Sequence, residues 1–125
     1  MKATRAPTTT STGQWAETLA FEHLHAAGLT EVTRNYRCRV GEIDLVMRDG
    51  PTLVFVEVRY RGRSDFGSGA ASVGSRKQAH LINSAQHFLQ RNSTLAKANC
   101  RFDVIGVAGP PAGPRIEWIR DAFRA

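Results

Sequence analysis

The chain is short and basic, and these two properties limit what it can be. Its 125 residues, 42% of them hydrophobic and 22% charged, suffice for one hydrophobic core, which excludes a multidomain arrangement. The 17 Lys and Arg residues against 11 Asp and Glu residues give a formal charge of +6, which suits a polyanion such as nucleic acid, although such charge also serves solubility alone. No apolar run approaches the roughly 18 residues of a membrane helix, and no hydrophobic leader follows the N-terminal positive charges. Cys38 and Cys100 lie far apart, without the spacing of a zinc site or a disulfide framework, which favours reduced thiols and a cytoplasmic location.

The first half of the chain predicts one helix and three strands. Residues 1–12 are rich in Thr, Ser, Ala and Pro, so we expect a flexible tail followed by a single domain over residues 13–125. From Gly13 to Ala27, apolar residues recur at spacings of three and four and stop at Gly28, as in an amphipathic helix. Three extended segments follow, Thr30–Arg39, Gly41–Arg48 and Leu53–Tyr60.

The second half predicts a helix and two further strands. After a glycine-rich loop, a helix runs from about Ser75 to Gln90, with Ser75 and Gln78 spaced as a capping box. Its predicted buried side consists of Ala79, Ile82, Ala85, His87, Phe88 and Leu89. Two strands, 101–108 and 115–120, flank a Gly-Pro turn, and Asp103 is expected to hold a nearby arginine such as Arg101. The order αβββαββ predicts an α/β sandwich with one mixed sheet of about five strands and two main helices.

The turn between the second and third strands predicts a pair of facing carboxylates. If Arg48 pairs with Leu53 across residues 49–52, Asp44 falls opposite Glu57, where like charges repel. Glu57 also lies in the apolar run LVFVEV, where an ionised carboxylate needs a cation or strong donors. A hard divalent ion such as Mg²⁺ would satisfy both carboxylates, and Glu17 could approach from the first helix.

The same register offers an alternative without a metal. It places Glu42 opposite Arg59, so the acidic side chains could belong to an exposed acid–base ladder neutralised by nearby arginines. A pair of acids in neighbouring strands is a loose motif, and both interpretations stay open at this point.

The string GEIDLVMRDGPTLVFVEVRYR, with GQWAE before it and SRKQ and RFDVIGV after it, resembles the YraN family of bacterial proteins. That family belongs to the PD-(D/E)XK nuclease-like superfamily and is similar in layout to archaeal Holliday-junction resolvases. The resemblance covers Gly13 to about Phe123 and implies a restriction-endonuclease-like core. It implies that Asp44 is the first metal-binding aspartate, that Glu57 is the acid of the second motif, and that Glu17 is the helical glutamate of the resolvases.

The resemblance also implies a function, and the chain departs from the family's motif at one position. It implies a Mg²⁺- or Mn²⁺-dependent endonuclease, in the form of a homodimer, that hydrolyses branched or distorted DNA. Arg59 stands where the second motif ordinarily has lysine, and its guanidinium stays protonated, so it could stabilise charge but not act as a general base. Lys77 could supply an ammonium group from the second helix. The candidate phosphate contacts are Arg61, Arg63, Arg76 and Lys77.

Two other classes of function remain compatible with these residues. The first is a nucleic-acid-binding module that keeps the fold without catalysis, for which Arg59 in the lysine position is the clearest feature. The second is a structural or interaction protein whose acidic pair is only a buried ion-pair network.

Overall fold

The computed structural model describes residues 9–61 and 73–125. The expected tail over residues 1–12 therefore falls largely outside the described residues, and helix α1 begins at Thr9, four residues before the expected start at Gly13. The elements in chain order are α1 (Thr9–Ala26), β1 (Thr30–Cys38), β2 (Gly41–Asp49), β3 (Thr52–Arg61), α2 (Ser75–Arg91), a 3₁₀ turn (Ser93–Leu95), β4 (Asn99–Ala108) and β5 (Arg115–Phe123). This order confirms the predicted αβββαββ arrangement.

The five strands form one mixed sheet in the order β1-β2-β3-β4-β5. Only β3 and β4 are parallel, because α2 carries the chain back across the sheet between them, whereas the other neighbours are antiparallel. The register of β2 with β3 is the predicted one, with Arg48 opposite Leu53 and Leu45 opposite Val56. The fold class expected from the sequence, an α/β restriction-endonuclease-like core, is confirmed.

Each face of the sheet carries one helix and one apolar core. Side chains alternate between the two faces of a strand, so consecutive residues such as Val46 and Met47 enter different cores. The α1 core combines Ala16, Ala20 and Leu24 with strand residues such as Met47, Val54, Val56 and Ile105. The α2 core combines Leu81, Ala85 and Phe88 with residues such as Ile43, Val46, Phe55 and Phe102. Neither helix in the described part of the chain has the length and apolar content to cross a bilayer.

The start of α2 and its buried face differ from the sequence prediction. The N-cap residue is Gly74, and it makes no side-chain capping bond, while Gln78 Nε2 donates to the Val73 carbonyl at 2.8 Å. The predicted capping box of Ser75 and Gln78 is therefore wrong. The buried residues of the helix are Leu81, Ser84, Ala85 and Phe88, whereas Ala79 is exposed. Ala85 and Phe88 are buried as expected, and Ile82 and Leu89 pack against the same core, so the predicted face is confirmed except at Ala79. Leu81 and Ser84 are buried in addition.

Asp103 is a buried structural hub, as its predicted partnership with Arg101 suggested. Its side chain is 1% exposed and accepts two bonds from Arg101, at 2.9 and 3.0 Å. Trp118 Nε1 and the Asp121 backbone N–H also donate to it, each at 2.9 Å. Arg101 further bonds Asp49 at 3.0 Å, so this network ties β2, β4 and β5 together. Four donors satisfy the buried carboxylate fully.

Candidate functional site

The candidate site lies where β2 and β3 separate. Their paired positions end at Leu45 and Val56, and beyond this point the Asp44 Oδ2 atom accepts the backbone N–H of Val58 at 2.8 Å. The side chain of Asp44 thus takes the place of a backbone acceptor. On the other side of β2, the position facing Asp44 in the β1 register is Asn35, which has a left-handed backbone with φ of 53°. Both neighbours of β2 are therefore irregular at Asp44, which opens the sheet around this carboxylate.

Three carboxylates converge at this opening. The side chains of Glu17, Glu42 and Asp44 each place a carboxylate oxygen within 4.8 Å of the others. Glu17 comes from α1 and is partly buried, Asp44 is buried in β2, and Glu42 is exposed near the start of β2. The structure thus brings together Glu17 and Asp44, two of the residues that the sequence suggested. Glu42 joins them, although the sequence had placed it only in the alternative ion-pair ladder.

Glu57 lies against Asp44 from β3 and is only 8% exposed. Burial, followed by the charge of Asp44, raises the pKa of Glu57 to about 7. Its carboxyl group also hydrogen-bonds that of Asp44, and such a bond needs a proton on one of the two groups. The two carboxyl groups that the hairpin register predicted to face each other therefore interact, although the regular pairing of the strands ends at Leu45 and Val56.

The pKa values of Glu17 and Asp44 are raised as well. Burial, followed by the charge of Asp44, raises the pKa of Glu17 to about 7, against a hydrogen bond from Asn35 that lowers it. Burial also raises the pKa of Asp44, although the Val58 N–H favours its ionised form. Several carboxylates that resist ionisation together are a feature of functional sites more often than of structural ones.

Two cations face the acidic pair. Lys77, in the first turns of α2, has its Nζ 3.6 Å from Glu57 Oε2 and is half exposed. The positive charges of Lys77 and of Arg59 both lower the pKa of Glu57, in that order of importance. The structure thus brings Lys77, which the sequence offered as a substitute ammonium, to the carboxylate that Arg59 also faces.

The donor set fits a hard divalent cation. Mg²⁺ and Mn²⁺ prefer oxygen ligands, and the oxygens of Glu17, Glu42 and Asp44 are near enough to share one ion, with Glu57 beside Asp44. A bound cation would favour the ionised forms of these carboxylates, whose pKa values burial raises. The residues present therefore match the metal that the sequence implied.

The backbone register of β2 with β3 does not extend to the Glu42–Arg59 pair of the alternative ladder. The pairing of β2 with β3 ends at Leu45, before it reaches Glu42. Glu42 instead pairs with Arg37 of β1, both in register and through a contact of 3.6 Å between Arg37 Nε and Glu42 Oε1. The sequence could not show this, because it gave no register for β1 against β2.

The candidate phosphate contacts are spread around the same end of the sheet. Arg61 is exposed at the end of β3, and Arg76 is exposed next to Lys77 at the start of α2. Arg63 lies outside the described residues. Arg61 and Arg76 are thus accessible from solvent, and Arg76 is the chain neighbour of Lys77, which contacts Glu57 in the acidic cluster formed by Glu17, Glu42, Asp44 and Glu57.

The fold and the position of the cluster define a class. A mixed five-stranded sheet with one helix on each face, and an acidic cluster where two inner strands separate, is the layout of an α/β protein with a restriction-endonuclease-like core. The family follows from comparison with known sequences. The model of the uncharacterised protein family UPF0102 matches residues 16–107, and the chain belongs to this family. This assignment agrees with the resemblance to the YraN family.

Curated relatives cover nearly the whole chain. The UPF0102 protein of Nitrosococcus oceani is 50% identical over 112 residues, which are 90% of this chain and 90% of the relative. That of Saccharophagus degradans is 54% identical over 112 residues, 90% of this chain and 92% of the relative. That of Xanthomonas euvesicatoria pv. vesicatoria is 55% identical over 113 residues, 90% and 91% of the two chains.

Proposed function

We propose that this protein is a metal-dependent endonuclease that hydrolyses phosphodiester bonds in branched or distorted DNA. The observation that carries the proposal is the buried pair of Asp44 and Glu57, joined by Glu17, at the opening between β2 and β3. Burying several carboxylates together destabilises a fold unless a ligand compensates their charge. The basic character of the chain supports a polyanionic substrate.

The carboxylates would hold one or more Mg²⁺ or Mn²⁺ ions. Asp44 and Glu57 are the proposed ligands from the sheet, and Glu17 and Glu42 each have a carboxylate oxygen within 4.8 Å of one of Asp44. When bound, such an ion polarises a phosphoryl oxygen and lowers the pKa of a water molecule. The Val58 N–H fixes the orientation of the Asp44 carboxylate by bonding Oδ2. Because that bond comes from the backbone, it pre-organises the ligand without a second side chain.

Lys77 and Arg59 would together take the two roles of the lysine in the second motif, which are to orient a water molecule and to stabilise negative charge. Lys77 Nζ stands 3.6 Å from Glu57 and is half exposed, so it can reach a water molecule or a phosphate at the edge of the cluster. A lysine can orient such a water and can release a proton when its surroundings depress its pKa. Arg59 would stabilise the negative charge that develops on the phosphoryl oxygens, since its guanidinium stays protonated.

A catalytically silent nucleic-acid-binding module is the second candidate. The observation that favours it is Arg59, which occupies the usual lysine position and cannot act as a base. In that case the protein would bind DNA in a salt-dependent manner without turnover. A homodimer, implied by the resemblance to resolvases, is a further part of the proposal, and sedimentation equilibrium at several concentrations would test it.

The test compares the wild type with an Asp44→Ala/Glu57→Ala variant. Each protein is mixed with a four-way DNA junction or with a linear duplex of equal length, in Mg²⁺, in Mn²⁺ and in EDTA, and cleavage is followed on denaturing gels. A Glu22→Gln variant, changed at an exposed position of α1, is the matched control. Cleavage by the wild type and the control but not by the double variant supports the nuclease.

Each other outcome selects a different function. Binding of DNA by the wild type with no cleavage in either metal selects the silent module. Cleavage that survives in the double variant overturns the assignment of the site. If the wild type binds neither metal nor DNA, the structural interpretation of the acidic pair holds.

A further inference from the structure

The β1–β2 turn segment, residues 37–42, projects from the sheet beside the acidic cluster. Cys38 and Gly41 are partners in the register, so Arg39 and Val40 alone form the turn between the strands. Glu42 at one end of the segment is a member of the cluster, and it pairs with Arg37 at the other end. The turn therefore stands at the entrance to the cluster.

Helix α2 holds this segment in place. A Cβ atom on Gly41 would lie 2.9 Å from Ser84 Oγ and 3.7 Å from His80 Cβ, so the turn approaches the helix as closely as a glycine permits. Cys38 Sγ also bonds the Gly41 carbonyl, at 3.5 Å. The same helix carries Lys77, three residues before His80 and seven residues before Ser84. Residues three, four and seven apart lie on one side of a helix. A fixed backbone in the turn presents its side chains without first having to be ordered.

The β1–β2 turn segment exposes two arginines and a valine. The side chain of Arg37 is 76% exposed, and Arg39 is exposed as well. Val40 between Arg39 and Gly41 is 43% exposed and is one of two exposed large hydrophobic residues in the described part of the chain, the other being Ile119 of β5. Two guanidinium groups that precede an exposed apolar residue match a nucleic acid, which offers phosphates beside the faces of its bases.

The turn and the start of α2 together give the cluster a basic border. Arg37 and Arg39 lie on the turn, and Arg76 and Lys77 lie on the helix that the turn contacts. A phosphate backbone that approaches Asp44 and its neighbours needs such cations, because the carboxylates alone would repel it. The charges expected around a scissile phosphate are thus supplied by two separate elements.

We propose that the β1–β2 turn segment binds branched DNA, with Arg37 and Arg39 contacting phosphates and Val40 packing against bases that are unstacked at the branch. This inference rests on the proposed function and adds the residues that select the substrate. An apolar side chain gains little from a continuous duplex, whose bases are stacked, but can pack where a branch exposes a base face. Val40 therefore provides preference for structure, and the arginines provide affinity.

The experiment measures binding of the full chain to a fluorescent four-way junction and to a linear duplex of the same length. Anisotropy titrations are made in Ca²⁺, which takes oxygen ligands, and gels confirm that the DNA stays intact. Arg39→Gln is compared with Arg91→Gln, the same change at an exposed position at the far end of α2. Val40→Ser tests the apolar tip, and thermal melting checks that each variant is folded.

R39Q is expected to weaken binding to both DNAs several-fold and to reduce the slope of log K against log salt by about 0.9, since one phosphate contact is lost. R91Q should bind like the wild type. V40S should keep its affinity for the duplex and lose affinity for the junction, so the ratio between the two falls.

The outcomes separate this inference from the proposed function. If the wild type binds DNA and R39Q behaves like R91Q, the phosphate contact is overturned while the nuclease proposal stands. If V40S changes both affinities equally, Val40 does not provide selectivity. If the wild type binds neither DNA, the proposed function fails, and the inference fails with it.

Discussion

Replacing Glu57 by glutamine should make the metal-free protein more stable at neutral and higher pH. In the folded protein, burial and the neighbouring charge of Asp44 raise the pKa of Glu57 to about 7, from an ordinary value of 4.5. Glutamine has nearly the same shape and no charge, so it removes the cost of ionising the buried group. Lys77, its partner at 3.6 Å, is half exposed and is solvated by water after the change.

The size and sign of the effect follow from linkage between folding and protonation. The folded wild type holds the proton of Glu57 more tightly than the unfolded chain does. The stability that the wild type gains from this protonation is fully present below pH 4.5 and is lost as the pH rises through about 7. A pKa raised by this amount corresponds to on the order of 3 kcal/mol. This figure is an upper bound for one replacement, since the Asp44 carboxylate stays buried beside the new glutamine.

The assay is urea denaturation at pH 5, 7 and 8 in EDTA, followed by tryptophan fluorescence. The free energy of unfolding of the wild type should fall across this range, whereas that of E57Q should fall less, so the difference between the two grows with pH. The exposed Glu22→Gln variant should run parallel to the wild type. Parallel curves for the wild type and E57Q, or a less stable E57Q at pH 8, would refute the reasoning.

Three further predictions concern residues around the site and the core. Lys77→Met should retain metal binding but cleave branched DNA about 10²-fold or more slowly, as single-turnover gels would show. Asp103→Ala should lower the free energy of unfolding by about 3–5 kcal/mol in urea denaturation, because the largely buried Arg101 loses its partner. Adding Arg101→Met to this variant should recover part of the loss. Gly41→Ala should cost about 1–3 kcal/mol, since its φ is 151° and its new Cβ would meet Ser84 Oγ, and Ser84→Ala should relieve part of the cost.

Each of these has a result that contradicts it. Wild-type cleavage by K77M would remove Lys77 from the chemistry. A D103A protein as stable as the wild type would show that the four bonds to this carboxylate contribute little. Equal stability of G41A with and without the change at Ser84 would mean that strain in the backbone, rather than the contact, sets the cost.

The facing pair of acids could be predicted from the sequence because a local turn determines it. Gly50 and Pro51 close the hairpin, and Gly50 has the left-handed φ of 59° that such a turn needs. Once Arg48 faces Leu53, counting along the two strands brings Asp44 close to Glu57, although the regular pairing itself ends one position earlier, at Leu45 and Val56. No knowledge of the rest of the fold is required for this step.

The role of Glu42 could not be predicted in this way, because it depends on irregular backbone. Ile43 and Val46 both enter the α2 core although they are three positions apart, so the strict alternation of the strand is interrupted between them. Asn35 has a left-handed backbone at the same level of β1. A pattern of alternating residues carries no information about such a break, and only the packing of α1 and β1 brings Glu42 to Asp44.

The buried face of α2 was predicted correctly at Ala85 and Phe88, but not at Ala79 and Ser84. The sequence favours apolar residues on the buried side, yet Ser84 is fully buried while Ala79 is exposed. A serine is small enough to let the helix approach Gly41. The contact between Lys77 Nζ and Glu57 Oε2 joins α2 to β3, so it too required the tertiary structure.

The most direct test of the central claim is a calorimetric titration of Mn²⁺ into the wild type and into an Asp44→Asn/Glu57→Gln variant, without DNA. Saturable binding by the wild type that releases protons near pH 6, detected as a dependence of the heat on the buffer, is the predicted result, since the pKa values of Glu17 and Glu57 are raised to about 7. The variant should not bind. Absence of saturable binding by the wild type at millimolar Mn²⁺, or equal binding by the variant, would contradict the assignment of this cluster as a metal site.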